Sequence, residues 1–378
     1  MNWSISTNIT HGNAAAKDIK KEGNKLIVLF SADPHGGTET LWWCFRIERK
    51  KEDDIHIIRL VWKHYYNCLG LNRDNVTMVN PVVRYDDGQW KRLPSPCIQQ
   101  NPGGSNYAYW EITKPEKYID VAFCFPHGPN ELKDFIYKSK WNSDSIGVSQ
   151  KGREVIRVSN NYGSDNNKIP GIYCIAHQHA SEMSGAWVLQ GFLTEIARKG
   201  NNAPLVWSIP ILNIDGTIEG DYGKDPFPWD INRAWGHLPM RIEVKACMND
   251  ISLWQSLCKP LICLDFHSPG ACEDDGVYAF IPTVDERKKQ LINLFADKIA
   301  YFLGKYSANN FKRIASYPSR FKTDLHMNFT KFCCQHNLLA LSFEIPYSRI
   351  GEKILYIEDY LEIGAKIADA ICNFKGEL

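Results

Sequence analysis

The chain changes its hydrophobic rhythm once. Residues 25–32, 41–48, 55–63, 76–85, 107–113 and 118–125 are short runs dominated by β-branched and aromatic side chains. Gly, Pro, Asn and Asp separate them, as in Pro34-His-Gly-Gly and Asp86-Asp-Gly. Runs of this length bounded by turn residues predict strands, and several in succession predict an antiparallel β-sandwich. No helix-length periodic segment precedes Gly128.

Beyond about residue 138, continuous apolar runs alternate with helical spacing. Residues 155–159, 171–176, 205–212, 261–266 and 338–345 read as strands covered on both faces. Residues 186–198 place Trp187, Val188, Phe192, Leu193, Ile196 and Ala197 on one helical face, closing at Gly200. Residues 241–258, 285–306 and 356–374 are also helical in pattern. The fold class expected is therefore α/β: an N-terminal antiparallel β-sandwich, then an α/β/α unit with a mixed, mainly parallel sheet. The junction is expected between Asn130 and Asn142, dividing the chain into 1–137 and 138–378.

A length of 378 residues suits two domains. Lys plus Arg number 44 and Asp plus Glu 43, a balance that argues against nucleic acid or an anionic membrane as partner. No run of about 18 apolar residues predicts a membrane span. The start, Met1-Asn-Trp-Ser-Ile-Ser-Thr-Asn, lacks a basic segment followed by an apolar one, so no secretory leader is expected. The twelve cysteines are scattered, several inside apolar runs, and form no Cys-x-x-Cys pair. Buried reduced thiols in a cytoplasmic protein are the expectation, not a structural zinc knuckle.

Four segments carry chemistry. Ala176-His-Gln-His-Ala-Ser-Glu182 follows a buried strand and precedes a helix, and His179 and Glu182 at i, i+3 can reach one point. His267 ends a second buried run, so parallel strands would bring it to the same sheet edge. Two His and a carboxylate are a catalytic zinc ligand set. Asp265 either orients an imidazole or is a buried acid satisfied by the backbone. Asn232-Arg233 places an amide beside a guanidinium suited to bidentate carboxylate capture. Glu344 stands in the apolar run Leu341-Ser-Phe-Glu-Ile-Pro, where a carboxylate needs a partner or a task. Beside a zinc-bound water that task is general base.

The order His179-x-x-Glu182, Asn232-Arg233, His267, Glu344 resembles the carboxypeptidase A-type family of zinc carboxypeptidases. Within it the chain is most similar to the cytosolic carboxypeptidases, which carry a β-sandwich ahead of the catalytic domain. The segments Trp42-Trp-Cys-Phe-Arg46, Asn80-Pro-Val-Val-Arg84, Trp90-Lys-Arg92 and Val121-Ala-Phe-Cys-Phe-Pro126 carry that likeness. The resemblance implies zinc as cofactor on His179, Glu182 and His267, and a substrate carboxylate on Asn232 and Arg233. It implies Glu344 as base and a peptide or protein C-terminus as partner. His177 competes as first ligand, and His179 fits the His-x-x-Glu spacing better.

Two departures stand out. The family's oxyanion Arg before the Asn-Arg pair is replaced by Gly223, leaving Lys224 as the catalytic cation. For the tyrosine that closes over substrate, Tyr317 and Tyr347 are the candidates. Arg313, Arg320, Lys322 and Arg349 are the cations considered for a pocket that reads an acidic side chain. The alternatives are a zinc amidohydrolase of the same fold, acting on an acyl-amino acid or a cell-wall peptide, and a non-catalytic binding homologue.

Overall fold

The computed structural model describes residues 2–37, 39–100, 106–113, 115–164, 169–224, 229–236, 238–315 and 327–374. The first ten strands build two five-stranded sheets. One runs β1 (Trp3–Ser6), β4 (Cys44–Arg49), β10 (Tyr118–Ala122), β6 (Val82–Tyr85), β7 (Trp90–Arg92). The other runs β2 (Ala15–Glu22), β3 (Lys25–Ser31), β5 (Ile57–Trp62), β9 (Asn106–Thr113), β8 (Cys97–Gln100). Alternation decides which side faces in: Ala108, Trp110 and Ile112 of β9 are buried while Glu111 and Thr113 are exposed. The inner faces meet on aromatic rings. Phe30 lies 4.8 Å from both Trp43 and Phe45, and Trp43 lies 5.5 Å from Trp62.

Neighbouring strands are antiparallel except β3 and β5, which pair in parallel. The chain between them crosses to the other sheet as β4, which supplies the crossover a parallel pair needs. The strand expected over 76–85 is shorter: Val76–Met78 is a 3₁₀ turn and pairing starts at Val82. Pro81 lies between, has no N–H to donate, and restricts Asn80 before it.

Helix α1 (Pro129–Ser139) follows, and residue 137, the expected junction, lies inside it. No helix is expected there from the sequence, yet its start is well formed. Pro129 opens the helix, and the Gly128 N–H donates to Glu131 Oε2 at 2.9 Å.

The second half is an eight-stranded sheet. Its strands are β11 (Asn142–Val148), β12 (Glu154–Ser159), β13 (Pro170–Ala176), β14 (Leu205–Ile209), β15 (Lys259–His267), β16 (Val277–Phe280), β17 (Ser307–Arg313) and β18 (Ala340–Glu344). Their spatial order is β11-β12-β14-β13-β15-β18-β16-β17. The centre, β14-β13-β15-β18, is parallel, and antiparallel pairs flank it at β12–β14 and β16–β18. The helices are α2 (Met183–Lys199), α3 (Ile214–Glu219), α4 (Ile242–Leu257), α5 (Glu286–Leu303), α6 (Phe329–Gln335) and α7 (Ile357–Cys372). They cover both faces. Trp254 of α4 packs on Tyr173 of β13, and Phe192 of α2 packs on Phe266 of β15. The register aligns Ala176 with Phe266 and His267 with Glu344. The carboxyl ends of β13, β15 and β18 therefore open side by side.

Candidate metal centre

β13 ends at Ala176, and residues 177–182 turn before α2 begins at Met183. His177 sits at φ 53° with its Nδ1–H donating to the Ala180 carbonyl at 2.7 Å. Its ring packs on His127. His179 is the imidazole that meets Glu182: Nδ1 lies 2.7 Å from Glu182 Oε1. From the end of β15, His267 Nδ1 lies 2.6 Å from Glu182 Oε2. One donor atom from each of His179, Glu182 and His267 falls within 4.8 Å of the others, and all three residues are buried.

The outer ring nitrogens are also engaged. His267 Nε2 is 2.9 Å from Asp265 Oδ2, and His179 Nε2 is 3.3 Å from Asp230 Oδ1. The two inner nitrogens thus share one carboxylate; the outer nitrogen of His267 is hydrogen-bonded to its acid, the arrangement that orients a metal-bound imidazole, while that of His179 faces Asp230 at ion-pair distance without a hydrogen bond. The donor set fits a dication. Without one, burial lowers the affinity of His179 for a proton, but Glu182 and Asp230 outweigh it and hold the pKa above the usual value. His267 is likewise held well above by Asp265 and Glu182 against the same burial. Burial raises Glu182, yet the two imidazoliums keep it well below the usual carboxylate range.

Two glycines make this packing possible. A Cβ on Gly185, near the start of α2, would stand 2.7 Å from the Phe266 carbonyl oxygen. The helix could not then approach β15 closely enough for Glu182 to meet His267. Gly223 adopts φ +97°, and a Cβ there would lie 2.2 Å from the Ala180 nitrogen. No side chain fits at 223, which explains why an Arg cannot stand there. Lys224 follows it. Its Nζ lies 3.3 Å from Glu39 Oε2 and 4.0 Å from Glu182 Oε1. Burial pulls the ammonium down, but Tyr222, Glu182, Glu39 and Glu344 outweigh it and raise its pKa.

A cavity of about 620 Å³ opens over the three ligand candidates and is also lined by Lys224, Asn232, Arg233 and Glu344. The sequence-predicted site residues therefore converge on one space. Glu344 Oε2 is shielded from solvent and has no hydrogen-bond partner among the described residues. Burial first, and the Glu182 charge second, push its carboxyl up to about 8.

Other expectations fall differently. Tyr347 is buried, packed edge-on against Phe123, because it lies past the strand end and turns into the core. Tyr317 lies outside the described residues. Tyr278, which sequence reasoning missed, lines the cavity and donates to Glu273 Oε2 at 2.9 Å. Arg313 is paired with Glu273 and Asp275, and Arg349 bonds Asn80 Oδ1 at 2.9 Å in the N-terminal region, so neither lines the cavity. Arg320 and Lys322 lie outside the described residues. Lys331, at the start of α6, does line it. Asp230 was also missed. Its signal was the spacing Asp-x-Asn-Arg, for its carboxylate accepts the Asn232 N–H at 2.7 Å and so holds the loop that carries both substrate candidates.

No protein-family model matches the chain. Solved structures do match it over its whole length. A metallo-carboxypeptidase from Burkholderia cenocepacia superposes with TM-score 0.77 at 16% identity, covering 99% of each chain. A Pseudomonas aeruginosa metallo-carboxypeptidase, solved with (2-guanidinoethylmercapto)succinic acid, does so at TM-score 0.75 and 15% identity, again with 99% of each chain covered. At these identities the likeness establishes a shared fold, and the N-terminal sheets are part of it.

Proposed function

We propose that the chain is a zinc metallocarboxypeptidase that removes C-terminal residues from peptides or proteins, and that it belongs with the cytosolic carboxypeptidases. The observation that carries this is the meeting of His179, Glu182 and His267 in one cavity with Asn232, Arg233 and Glu344. The sheets ahead of the catalytic sheet support the subfamily.

His179, Glu182 and His267 would hold the zinc. Bound there, it supplies a Lewis acid and lowers the pKa of a coordinated water. Glu344 Oε2 accepts the proton of the attacking water. A neighbouring dication favours its carboxylate form, against the burial that raises it in the metal-free arrangement. Arg233 and Asn232 bind the substrate's terminal carboxylate and so set which peptide bond reaches Glu344. The Lys224 ammonium faces the oxygen that gains charge, as a point donor in place of a guanidinium fork.

Purified protein should contain one zinc per chain, and His179→Ala or His267→Ala should lose it. Unchanged zinc content in either variant would show the ligand set to be wrong. Glu344→Gln should keep zinc and fold but lose about 10²–10⁴ in rate on peptides with a free C-terminus. Turnover close to wild type would remove Glu344 from the chemistry.

A further inference from the structure

Gln178, between the two imidazoles of the 177–182 turn, is fully buried although it has no part in holding a metal. Its side chain is surrounded by polar groups. Trp235 Nε1 lies 2.7 Å from Gln178 Oε1. On the other side, Gln178 Nε2 lies 2.7 Å from Asp265 Oδ2, 3.2 Å from Asn232 Oδ1 and 3.3 Å from His267 Nε2.

Donor and acceptor chemistry allows one reading of these contacts. An indole N–H only donates, so the Gln178 carbonyl oxygen must face Trp235 and its NH₂ must face the site. Asp265 Oδ2 and Asn232 Oδ1 then accept the two amide hydrogens. The opposite orientation of Asn232 would set NH₂ against NH₂ and leave a buried donor unmet. Gln178 therefore fixes which end of the Asn232 amide points away from it. Asn232 Nδ2 lies 3.3 Å from His267 Nε2, but that nitrogen gives its proton to Asp265 Oδ2 at 2.9 Å and cannot accept. The Asn232 NH₂ is left for an acceptor entering the cavity that Asn232 lines.

We propose that Gln178, locked by Trp235, is a positioning residue for C-terminal recognition: it holds the Asn232 amide with its NH₂ presented to the substrate carboxylate. The proposal rests on the carboxypeptidase reading for the identity of the ligand. It adds a residue that touches neither metal nor substrate. The same amide bonds Asp265, the acid that orients His267, so the carboxylate reader and the ligand set share one strut.

The test is equilibrium binding of an acetylated tripeptide as free acid and as C-terminal amide. It uses zinc-loaded Glu344→Gln protein, in which hydrolysis does not intervene, with and without Gln178→Met. A hydrogen bond to a charged group corresponds to about ten- to a hundredfold in affinity. The free-acid preference of the parent should fall by that factor in Gln178→Met, with the amide bound equally by both and zinc content unchanged. In the otherwise wild-type enzyme, Gln178→Met should raise KM for the free acid more than it lowers kcat. Trp235→Phe removes only the indole donor and is the second, milder variant; releasing the Gln178 amide should cost part of the same preference. An unchanged free-acid preference in folded Gln178→Met or Trp235→Phe would overturn the proposal, as would loss of zinc with the preference intact. Absence of hydrolysis by wild type would defeat the hydrolase reading, while the binding ratio would still decide the role of Gln178.

Discussion

Asp120 in the N-terminal sheets and Glu344 at the edge of the central sheet are both carboxylates set in apolar strands, but their surroundings differ. Asp120 is closed off by two guanidiniums: Arg46 Nε lies 2.7 Å from Oδ1 and Arg84 Nη2 2.7 Å from Oδ2. Each of its oxygens is met, and its strand packs into the aromatic core between the sheets. Glu344 has an oxygen with no hydrogen-bond partner among the described residues, and it faces a cavity shared with two imidazoles and an ammonium. Buried charge that is fully paired serves the fold. A buried ionisable group left open is maintained against its desolvation cost, and at such places chemistry is expected. The sheet types explain where each occurs. Antiparallel strands end at different edges, whereas parallel β13, β15 and β18 all end at one edge and gather their terminal residues.

The sharpest way to break this contrast is to remove the cation on the open side. Lys224→Met should keep zinc and fold yet lose about 10²–10³ in kcat, the effect of deleting one oxyanion donor. If kcat is unchanged, the ammonium does not stabilise the oxyanion, and its pairing with Glu39 and Glu182 is its whole role. The converse change acts on the closed side. Asp120→Ala leaves Arg46 and Arg84 facing each other without their anion. It should destabilise the protein by on the order of 2 kcal/mol, discounted because both guanidiniums are partly exposed. Metal content and kcat should not move. A urea unfolding midpoint equal to wild type would mean that the pairing adds nothing.

The smallest effect concerns the seam between the two regions, where His11 and His127 are buried. Burial pushes both imidazoles down to about 4, although His11 Nδ1 donates to the Thr217 carbonyl and His127 Nε2 to Gln190 Oε1. In the unfolded chain both take up protons below about pH 6.5, so there the unfolded state binds more protons than the folded one. Their contribution is complete above about pH 6.5 and is lost as pH falls towards 4, at up to about 1.4 kcal/mol per unit for each ring. Stability should therefore fall between pH 6.5 and 5 more steeply for wild type than for His127→Asn. Equal slopes in urea titrations would show that His127 does not carry this loss.

The pattern of apolar positions was enough to find most strands and the long helices, because burial on one face or both imposes a period that survives in sequence. Residues 186–198, 241–258 and 356–374 became α2, α4 and α7 to within a few residues. Short or edge elements left no such trace. β7, β8 and α6 were missed, and so was α1, whose only internal buried residues are Leu132 and Phe135. The ligand candidates were legible for a related reason. His179, Glu182, His267 and Glu344 each sit within or just after a recognisable strand, and the spacing i, i+3 is local.

What local patterns cannot hold is which distant groups face one another. The spacing already favoured His179 over His177, and the packing adds that the His177 ring lies against His127. Asp230 meets His179 across a loop, and Tyr278 enters the cavity from an antiparallel neighbour of β18. Lys224 is met by Glu39 from the loop between β3 and β4, a pairing no spacing could have announced. Composition and period are properties of a segment and can be read along the chain. Charge pairing, cavity lining and amide orientation are properties of surfaces that only the packed sheets bring within a few ångströms.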